Sequence, residues 1–294
     1  MFHKILCPID FSPGYENAIA AAIAIGSRDS ELVLLHVTEE PVFAVATTTP
    51  IPQSLATYQR DQARDGLERA IAVAKAAGAH RVTTKIAHGR PWEGITDALV
   101  DPSFDACVIG THGRTGVERA LIGSVAEKVL RHAPCPTLVT HLSHPPALIR
   151  HVLCPLDFSA GSTQALELAD SLVPDGGVLT LLAVLDLPLY YNGPLDDEWR
   201  AMAAPSCERS LKSWAARVTR PGREVRTLSR VGYAGAQILA EIDRDPSIDL
   251  VAIGSHGRTG LERVVLGSVA EKVARHARCA VFVAHRRGLG VTVT

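Results

Sequence analysis

The sequence has few aromatic residues and no C-x-x-C pair of cysteines. Only 5% of its 294 residues are aromatic, whereas 47% are hydrophobic, with Ala, Val, Leu and Ile predominating. That balance is typical of parallel β-sheets covered by helices. The six cysteines lack the spacing of a zinc or redox site. Cys7 and Cys154, like Cys135 and Cys279, occupy equivalent places in two similar halves, so we interpret them as small buried strand residues rather than reactive thiols.

Charge of one sign and long apolar runs are also missing. The formal net charge is -1 with Lys and Arg scattered along the chain, which argues against nucleic acid as the main partner. No uninterrupted apolar run reaches the length of about 18 residues that a membrane-spanning helix needs. The N-terminal stretch Met1 to Lys4 leads directly into a predicted strand rather than a signal peptide. We therefore expect a cytoplasmic protein with no membrane partner.

Two enzyme motifs are absent. The sequence contains no Gly-x4-Gly-Lys-Ser/Thr P-loop, whose lysine would reach the terminal phosphates of a nucleotide. It also has no Gly-x-Ser-x-Gly, the turn that carries the nucleophile of α/β-hydrolases. These absences disfavour both enzyme classes.

A glycine motif is present twice. Gly110, Gly113 and the pair Gly123-Ser124 follow a short apolar run, and the same spacing returns at Gly254, Gly257 and Gly267-Ser268. Glycines there let the backbone turn sharply and approach a ligand closely. Ser124 with Glu127, and Ser268 with Glu271, match the capping box, which predicts a helix N-cap at each serine. Because the first amides of a helix are unpaired and lie at the positive end of its dipole, each motif predicts a phosphate cradle.

A structural reading of the same motif remains open. Glycine turns and capped helices occur in many α/β proteins without any ligand, and local folding alone explains them there. The second glycine and the nine-residue spacing are not explained by local folding, and both recur in the second copy. We therefore favour the phosphate cradle.

The repeat covers nearly the whole chain and predicts two tandem domains, residues 1–143 and 149–288. A linker with adjacent prolines, residues 143–147, separates them. Each half reads β-α-β-α-β-α-β-α-β, which predicts an open parallel sheet with right-handed crossovers and helices on both faces. In the first half we expect strands at residues 3–8, 31–37, 81–86, 106–109 and 137–141. In the second half we expect them near 151, 179, 224, 250 and 280, with a long helix over 195–217.

The loops after strands one and four are predicted to meet at a ligand-binding crevice. That arrangement brings Asp10 and Ser12 opposite Gly110 and Gly113 in the first half. An acidic side chain beside a phosphate cradle fits a role as acceptor for ribose hydroxyls or a base amino group. The alternative for Asp10 is a purely local Asx turn or helix cap.

Both halves resemble domains of the universal stress protein family, in its ATP-binding subclass, and the whole chain resembles the tandem form. The resemblance rests on the glycine pattern after an apolar strand. It implies a five-stranded sheet of order 3-2-1-4-5, an adenine nucleotide at the crevice, and assembly through an edge strand. The nucleotide contacts that it implies are Pro8, Asp10, Val37, Ile109, Gly110, Gly113, Gly123, Ser124 and Val125, and in the second half Pro155, Asp157, Val184, Ile253, Gly254, Gly257, Gly267, Ser268 and Val269.

Each charged or titratable residue inside the motif has two possible interpretations. Arg114 and Arg258 either steady phosphate charge or form salt bridges with Glu118 and Glu262 at helical spacing. The histidines at 112 and 256 could contact phosphate or donate a proton, but no nucleophile is paired with them, so we favour binding or structure over catalysis.

The resulting hypothesis is a cytoplasmic ATP-binding regulatory protein with one nucleotide site per domain and Mg2+ as the candidate accompanying ion. We expect the two domains to form an intramolecular pseudo-dimer, and we expect a homodimer, with strand five of each half meeting a counterpart. Two alternatives stay open: a slow ATP hydrolase or nucleotidyl-transferring enzyme, and a scaffold that binds no nucleotide. The His-Ile-Gly-His signature of nucleotidyl transferases is missing.

Overall fold

The computed structural model describes residues 2–39, 53–111, 122–141, 149–185, 197–257 and 266–285. The chain divides into two compact units, which we call unit 1, Met1–Ala147, and unit 2, Leu148–Arg286. The predicted linker at residues 143–147 lies outside the described residues.

Unit 1 contains the predicted alternation of strands and helices. Its strands are β1 (Phe2–Pro8), β2 (Gly26–Thr38), β3 (Arg81–His88), β4 (Ala106–Gly110) and β5 (Thr137–Thr140). Its described helices are α1 (Tyr15–Ile25), α2 (Gln53–Ala76), α3 (Pro91–Leu99) and α4 (Ser124–His132). The main departure from the predicted bounds is β2, which begins at Gly26, directly after α1.

Unit 2 repeats the series. Its strands are β6 (His151–Leu156), β7 (Val178–Leu185), β8 (Glu224–Val231), β9 (Leu250–Gly254) and β10 (Ala280–Ala284). Its described helices are α5 (Ala160–Leu172), α6 (Asp197–Ala215), α7 (Ala234–Arg244) and α8 (Ser268–His276). The five strands predicted in this half and its long helix are confirmed.

Each unit has an open sheet of the predicted order. The strands run β3-β2-β1-β4-β5 in unit 1 and β8-β7-β6-β9-β10 in unit 2, and the strand pairs within each unit are parallel. Right-handed crossovers in this order place α1 and α2 on one face and α3 and α4 on the other. The contacts of α1 with α2 and of α3 with α4 agree with that placement. The predicted α/β fold with two tandem domains is confirmed.

Burial follows position in the sheet. The inner strand β4 is a run of apolar residues buried on both faces, whereas the edge strand β3 is largely exposed. A central parallel strand is covered by helices on both sides and therefore reads as a continuous apolar run. An edge strand such as β3 carries charge instead, with Arg81 and Lys85, which discourages unwanted pairing.

Candidate functional site

A crevice opens in unit 1 where the strand order reverses. Strands β1 and β4 pair only at Ile5 with Ala106 and at Leu6 with Cys107. The Ile9 amide donates to the Leu35 carbonyl of β2 at 2.8 Å, and successive amides of a strand point to opposite sides. The nitrogen of Pro8 therefore lies on the β4 side, where it has no hydrogen to donate. The two strands separate at their carboxyl ends, which is where open α/β sheets bind ligands.

The crevice contains a cavity of about 430 Å³. That volume lies within the range of roughly 300 to 1,000 Å³ that is typical of small-molecule sites. Eight of the residues predicted as nucleotide contacts line it together: Pro8, Asp10, Val37, Ile109, Gly110, Gly123, Ser124 and Val125. The structure thus brings together residues from β1, β2, β4 and α4 that are far apart in sequence.

The N-terminus of α4 forms one wall of the cavity. Helix α4 begins at Ser124, and its N-cap is Gly123 rather than the predicted Ser124. The Gly123 amide donates to the Thr111 carbonyl at 2.7 Å, and a Cβ on Gly123 would lie 2.8 Å from that oxygen. Only glycine allows this close approach, and it starts the helix one residue before the capping box predicts. In unit 2 the N-cap is likewise Gly267 rather than Ser268. The serines are the first helical residues, so their amides lie at the positive helix end.

Asp10 forms a second wall, at the end of β1. Its Oδ1 accepts hydrogen bonds from the Ser12 amide at 3.0 Å and the Ser12 hydroxyl at 2.5 Å. The Asx turn that the sequence offered as an alternative role is therefore present. The carboxylate also lines the cavity, so the turn fixes a negatively charged group in the crevice.

The turn after Asp10 is held by aromatic packing. Phe11 has a φ of 60°, a left-handed backbone that is uncommon for a residue with a side chain. Its ring stacks on His36 with centroids 4.4 Å apart, and the His36 Nδ1 donates to the Ile9 carbonyl at 2.9 Å. The ring also lies against Gly66 of α2, where an added Cβ would be 2.5 Å from it. These contacts fix the loop that presents Asp10.

Several cavity residues were not singled out from the sequence. They include Tyr15, at the start of α1, Glu39, directly after β2, and Ile95, in α3. Burial, together with the nearby Glu16 carboxylate, raises the pKa of the Tyr15 hydroxyl, so this group stays protonated as a hydrogen-bond donor. Glu39 directly follows a predicted strand, and ligands of open α/β sheets bind at the carboxyl ends of strands, so its place in the site could have been predicted. The position of Tyr15 depends on where α1 begins, because Tyr15 is the first residue of that helix.

The equivalent positions of unit 2 are arranged differently. Pro155 lies in β6, Val184 near the end of β7, and Ile253 with Gly254 at the end of β9. Asp157 Oδ1 accepts hydrogen bonds from the Ser159 amide at 3.0 Å and the Ser162 hydroxyl at 2.6 Å. A Cβ on Gly257 would lie 2.7 Å from Asp157 Oδ2. Val269 is the second residue of α8. The carboxylate thus packs directly on the glycine loop.

Part of each motif lies outside the described residues. Gly113 and Arg114 of the first copy belong to that part, together with Arg258 of the second, so their predicted contacts stay predictions. The salt bridges offered for the two arginines, with Glu118 and Glu262, fall there too, as does His112. His256 is described, and its Nδ1 lies 3.0 Å from the Ser255 hydroxyl oxygen.

The four cysteines interpreted as buried strand residues are buried, but only Cys7 and Cys154 lie in strands, whereas Cys135 and Cys279 lie just before β5 and β10. Burial raises the pKa of the Cys7 thiol to about 12 and moves the pKa of Cys154 in the same direction. Such thiols remain protonated near neutral pH and are poor nucleophiles. Within the described ranges, no three His, Cys, Asp or Glu side chains are grouped so that they could hold a metal ion. No helix among these residues has the length and apolar character required to cross a membrane.

Comparison with known sequences gives the same family for both units. The model of the Universal stress protein family matches residues 1–141 and 148–285. The chain is 29% identical over 301 residues to universal stress protein Rv2005c of Mycobacterium tuberculosis, covering 97% of each chain. It is 27% identical over 299 residues to universal stress protein Rv2623 of the same organism, covering 95% of each. The similarity therefore extends along the full length of these tandem proteins.

Comparison with solved structures supports the fold. A universal stress protein from Archaeoglobus fulgidus DSM 4304 superposes with a TM-score of 0.67 at 23% identity, and 96% of each chain is covered. At this identity the likeness shows the shared fold alone.

Proposed function

The chain belongs to the universal stress protein family, and from that premise we propose that it is an ATP-binding regulatory protein whose principal nucleotide site is the crevice of unit 1. The equivalent positions of unit 2 form the second site of the proposal. In this proposal nucleotide occupancy sets the conformation of the crevice loops and thereby the choice of partner or assembly.

The observation that carries the proposal is the set of chemical groups that line the 430 Å³ cavity. Its lining includes small residues and the first turn of α4, where Gly123 and Ser124 present a helix N-terminus suited to phosphate. The same lining includes the Asp10 carboxylate and the apolar side chains of Val37 and Ile95. A carboxylate accepts hydrogen bonds from ribose hydroxyls, as acidic residues do in dinucleotide-binding folds, and apolar side chains suit a flat base.

The charged residues of the cavity lining indicate which groups would bind the phosphates. Among the described residues that line the cavity, the acidic ones are Asp10 and Glu39, and there is no lysine or arginine. Backbone amides and the α4 dipole would therefore bind much of the phosphate charge, together with Arg114 as predicted from the sequence. Mg2+ is the proposed accompanying ion, because it is bound mainly through substrate phosphates and water.

A thermal-shift titration of the full chain with ATP tests the proposal. A ligand at about 100 times its dissociation constant adds roughly 2.7 kcal/mol to the stability of the folded state. For a domain of about 150 residues, that predicts a rise in melting temperature of several degrees. The matched variant is Val125→Trp, since a large ring at this half-buried position would fill the cavity beside α4. We expect the variant to lose the shift while keeping its far-UV circular dichroism.

Three results would contradict or redirect the proposal. No shift with ATP, and no nucleotide released by heating the purified protein, would favour a scaffold that binds none. An equal shift in Val125→Trp would place the nucleotide elsewhere. Formation of ADP or AMP over many turnovers, lost on His112→Ala combined with His256→Ala, would favour the enzyme alternative.

Assembly through strand five and a cytoplasmic location complete the proposal. Both were predicted from the sequence, the first because an uncovered strand edge invites pairing. Light scattering bears on the assembly, since a homodimer has twice the 31.4 kDa mass of the chain.

A further inference from the structure

In unit 2 the first turn of α5 packs against the loop that would hold phosphate. A Cβ on Gly161 would collide with the His256 carbonyl oxygen. A Cβ on Gly254 would lie 2.7 Å from the carbonyl carbon of Gly161 and 2.8 Å from its oxygen. The two backbones are therefore in direct contact at Gly254, which is one of the residues predicted to contact the nucleotide.

The corresponding turn of unit 1 has a different course. Helix α5 begins at Ala160, which is equivalent to Pro13, whereas α1 begins two positions later, at Tyr15. Gly14 precedes α1 with a φ of 96°, in the left-handed region. Both Gly14 and Tyr15 line the 430 Å³ cavity. The early start of α5 thus goes with a crevice in which its backbone contacts Gly254 and His256, which we call filled, and the late start of α1 goes with an open one.

The difference follows from which hydroxyl holds the aspartate. In unit 1, Asp10 Oδ1 accepts from the Ser12 hydroxyl. In unit 2 the Asp157 Oδ1 accepts from the Ser162 hydroxyl instead. Ser159, the equivalent of Ser12, therefore uses its hydroxyl oxygen to cap α5, accepting from the Ser162 amide at 3.3 Å. A serine N-cap stabilises the early helix start.

The two halves differ in a side chain of this first helical turn. The residue equivalent to Ser162 is Tyr15, and a phenol ring cannot occupy the buried position in which the Ser162 hydroxyl meets Asp157. In unit 1 the aspartate consequently recruits Ser12, and α1 starts after the left-handed Gly14. The sequence difference between Tyr15 and Ser162 thus agrees with the open crevice of unit 1 and the filled crevice of unit 2.

We infer that the two nucleotide sites are unequal: unit 1 binds ATP directly, and unit 2 binds it only after the first turn of α5 leaves the crevice. The inference rests on the proposed function and identifies which half responds first. The apparent dissociation constant of a site equals its intrinsic value divided by the fraction of molecules in the open state. A filled state favoured about tenfold or more would weaken the second site by about that factor.

Calorimetric titration of the nucleotide-stripped full chain with ATP measures both sites. We expect one tight site and a second that is at least about tenfold weaker. Val125→Trp should remove the tight site, and Val269→Trp, the matched change at the same place in α8, should remove only the weak one. Ser162→Tyr should tighten the second site toward the first. Ser162→Ala, which adds no bulk, should do so in part, because it removes the hydroxyl that holds Asp157.

Matched changes control for non-specific effects. Ser171→Ala removes a hydroxyl from the last turn of α5, where it bonds the Leu168 carbonyl, and should leave both affinities as they were. Tyr15→Ser should weaken the tight site, since it offers Asp10 the serine found in unit 2. Two sites of equal affinity, or loss of the tight site in Val269→Trp, would overturn the inference and leave ATP binding intact. An absence of binding in every variant would contradict ATP binding itself, and the inference with it.

Discussion

At the scale of single residues, His151 stands in unit 2 where unit 1 has Lys4. Its ring is buried, with Nε2 2.8 Å from the Thr180 hydroxyl oxygen and Nδ1 2.9 Å from that of Ser247. Burial lowers the pKa of His151, and the nearby Arg226 lowers it further, while Asp245 partly opposes the shift. The imidazole is therefore held neutral, as a hydrogen-bonding link between β6, β7 and the segment before β9.

This environment predicts a loss of stability in mildly acidic solution. In the unfolded chain a histidine takes up a proton below about pH 6.5, whereas in the folded chain His151 resists protonation until a lower pH. The unfolded state then binds more protons, so the free energy of unfolding falls as pH decreases through that interval. Urea unfolding between about pH 7.5 and pH 5.5, above the range in which carboxyl groups titrate, should show the fall. The slope should be shallower in His151→Gln.

The control for this prediction keeps the imidazole. Thr180→Val removes the hydroxyl beside Nε2 with little change of volume. It should lower stability at every pH, since a buried polar atom loses its partner, but retain the dependence on pH. Equal slopes for wild type and His151→Gln would assign the acid sensitivity to other groups.

At the scale of elements, α2 supports the site through Gly66. A Cβ there would lie 2.5 Å from the Phe11 ring, and movement of the ring would disturb its stacking on His36. Phe11 also has a left-handed backbone that costs roughly 1 to 2 kcal/mol, so its position depends on this packing. The helix and the β1 loop are thereby coupled, although α2 itself contributes no described residue to the cavity lining.

Gly66→Ala should therefore destabilise unit 1 and weaken ATP binding. In an exposed helix the same change stabilises by roughly 0.5 to 1 kcal/mol, but here overpacking should cost about 1 to 3 kcal/mol. Displacement of Phe11 would carry Asp10 with it. Urea unfolding and ATP titration of the same variant measure both effects. Arg60→Ala, at an exposed position of α2, should stay within about 0.5 kcal/mol of wild type. A Gly66→Ala variant as stable as wild type would contradict the coupling.

The order of elements could be predicted from the sequence because it depends on local patterns. Apolar runs such as the one at β4 predict the strands and their crossovers. The glycines that follow such a run predict the crevice. Helix starts were less predictable, because they depend on contacts made in three dimensions. Gly123 rather than Ser124 caps α4 since its amide reaches Thr111. The loops that begin Asp-Phe-Ser in both halves also diverge, because Tyr15 and Ser162 leave different hydroxyls to bind the aspartate.

At the scale of the whole molecule, duplication has produced two units with one fold and different crevices. Equal strand order and matching glycine motifs coexist with the open cavity of unit 1 and the backbone contact of Gly161 with Gly254 in unit 2. If the units have different affinities, the chain passes through a state with one nucleotide before reaching a state with two. A rise in ATP concentration would then be reported in two steps rather than one.

Hydrogen exchange of the full chain can detect these two steps. Bound ligand stabilises the structure it contacts and slows local opening there. At an ATP concentration between the two dissociation constants, amides in residues 8–18 and 122–130 should gain protection, while those in 155–165 and 266–274 should not. A further increase of about tenfold in ATP should protect the second set. In Ser162→Tyr the two sets should respond together, because both crevices start open. Parallel protection of both sets in the wild-type chain at every concentration would show that the contact between α5 and the β9 loop places no barrier before the second nucleotide.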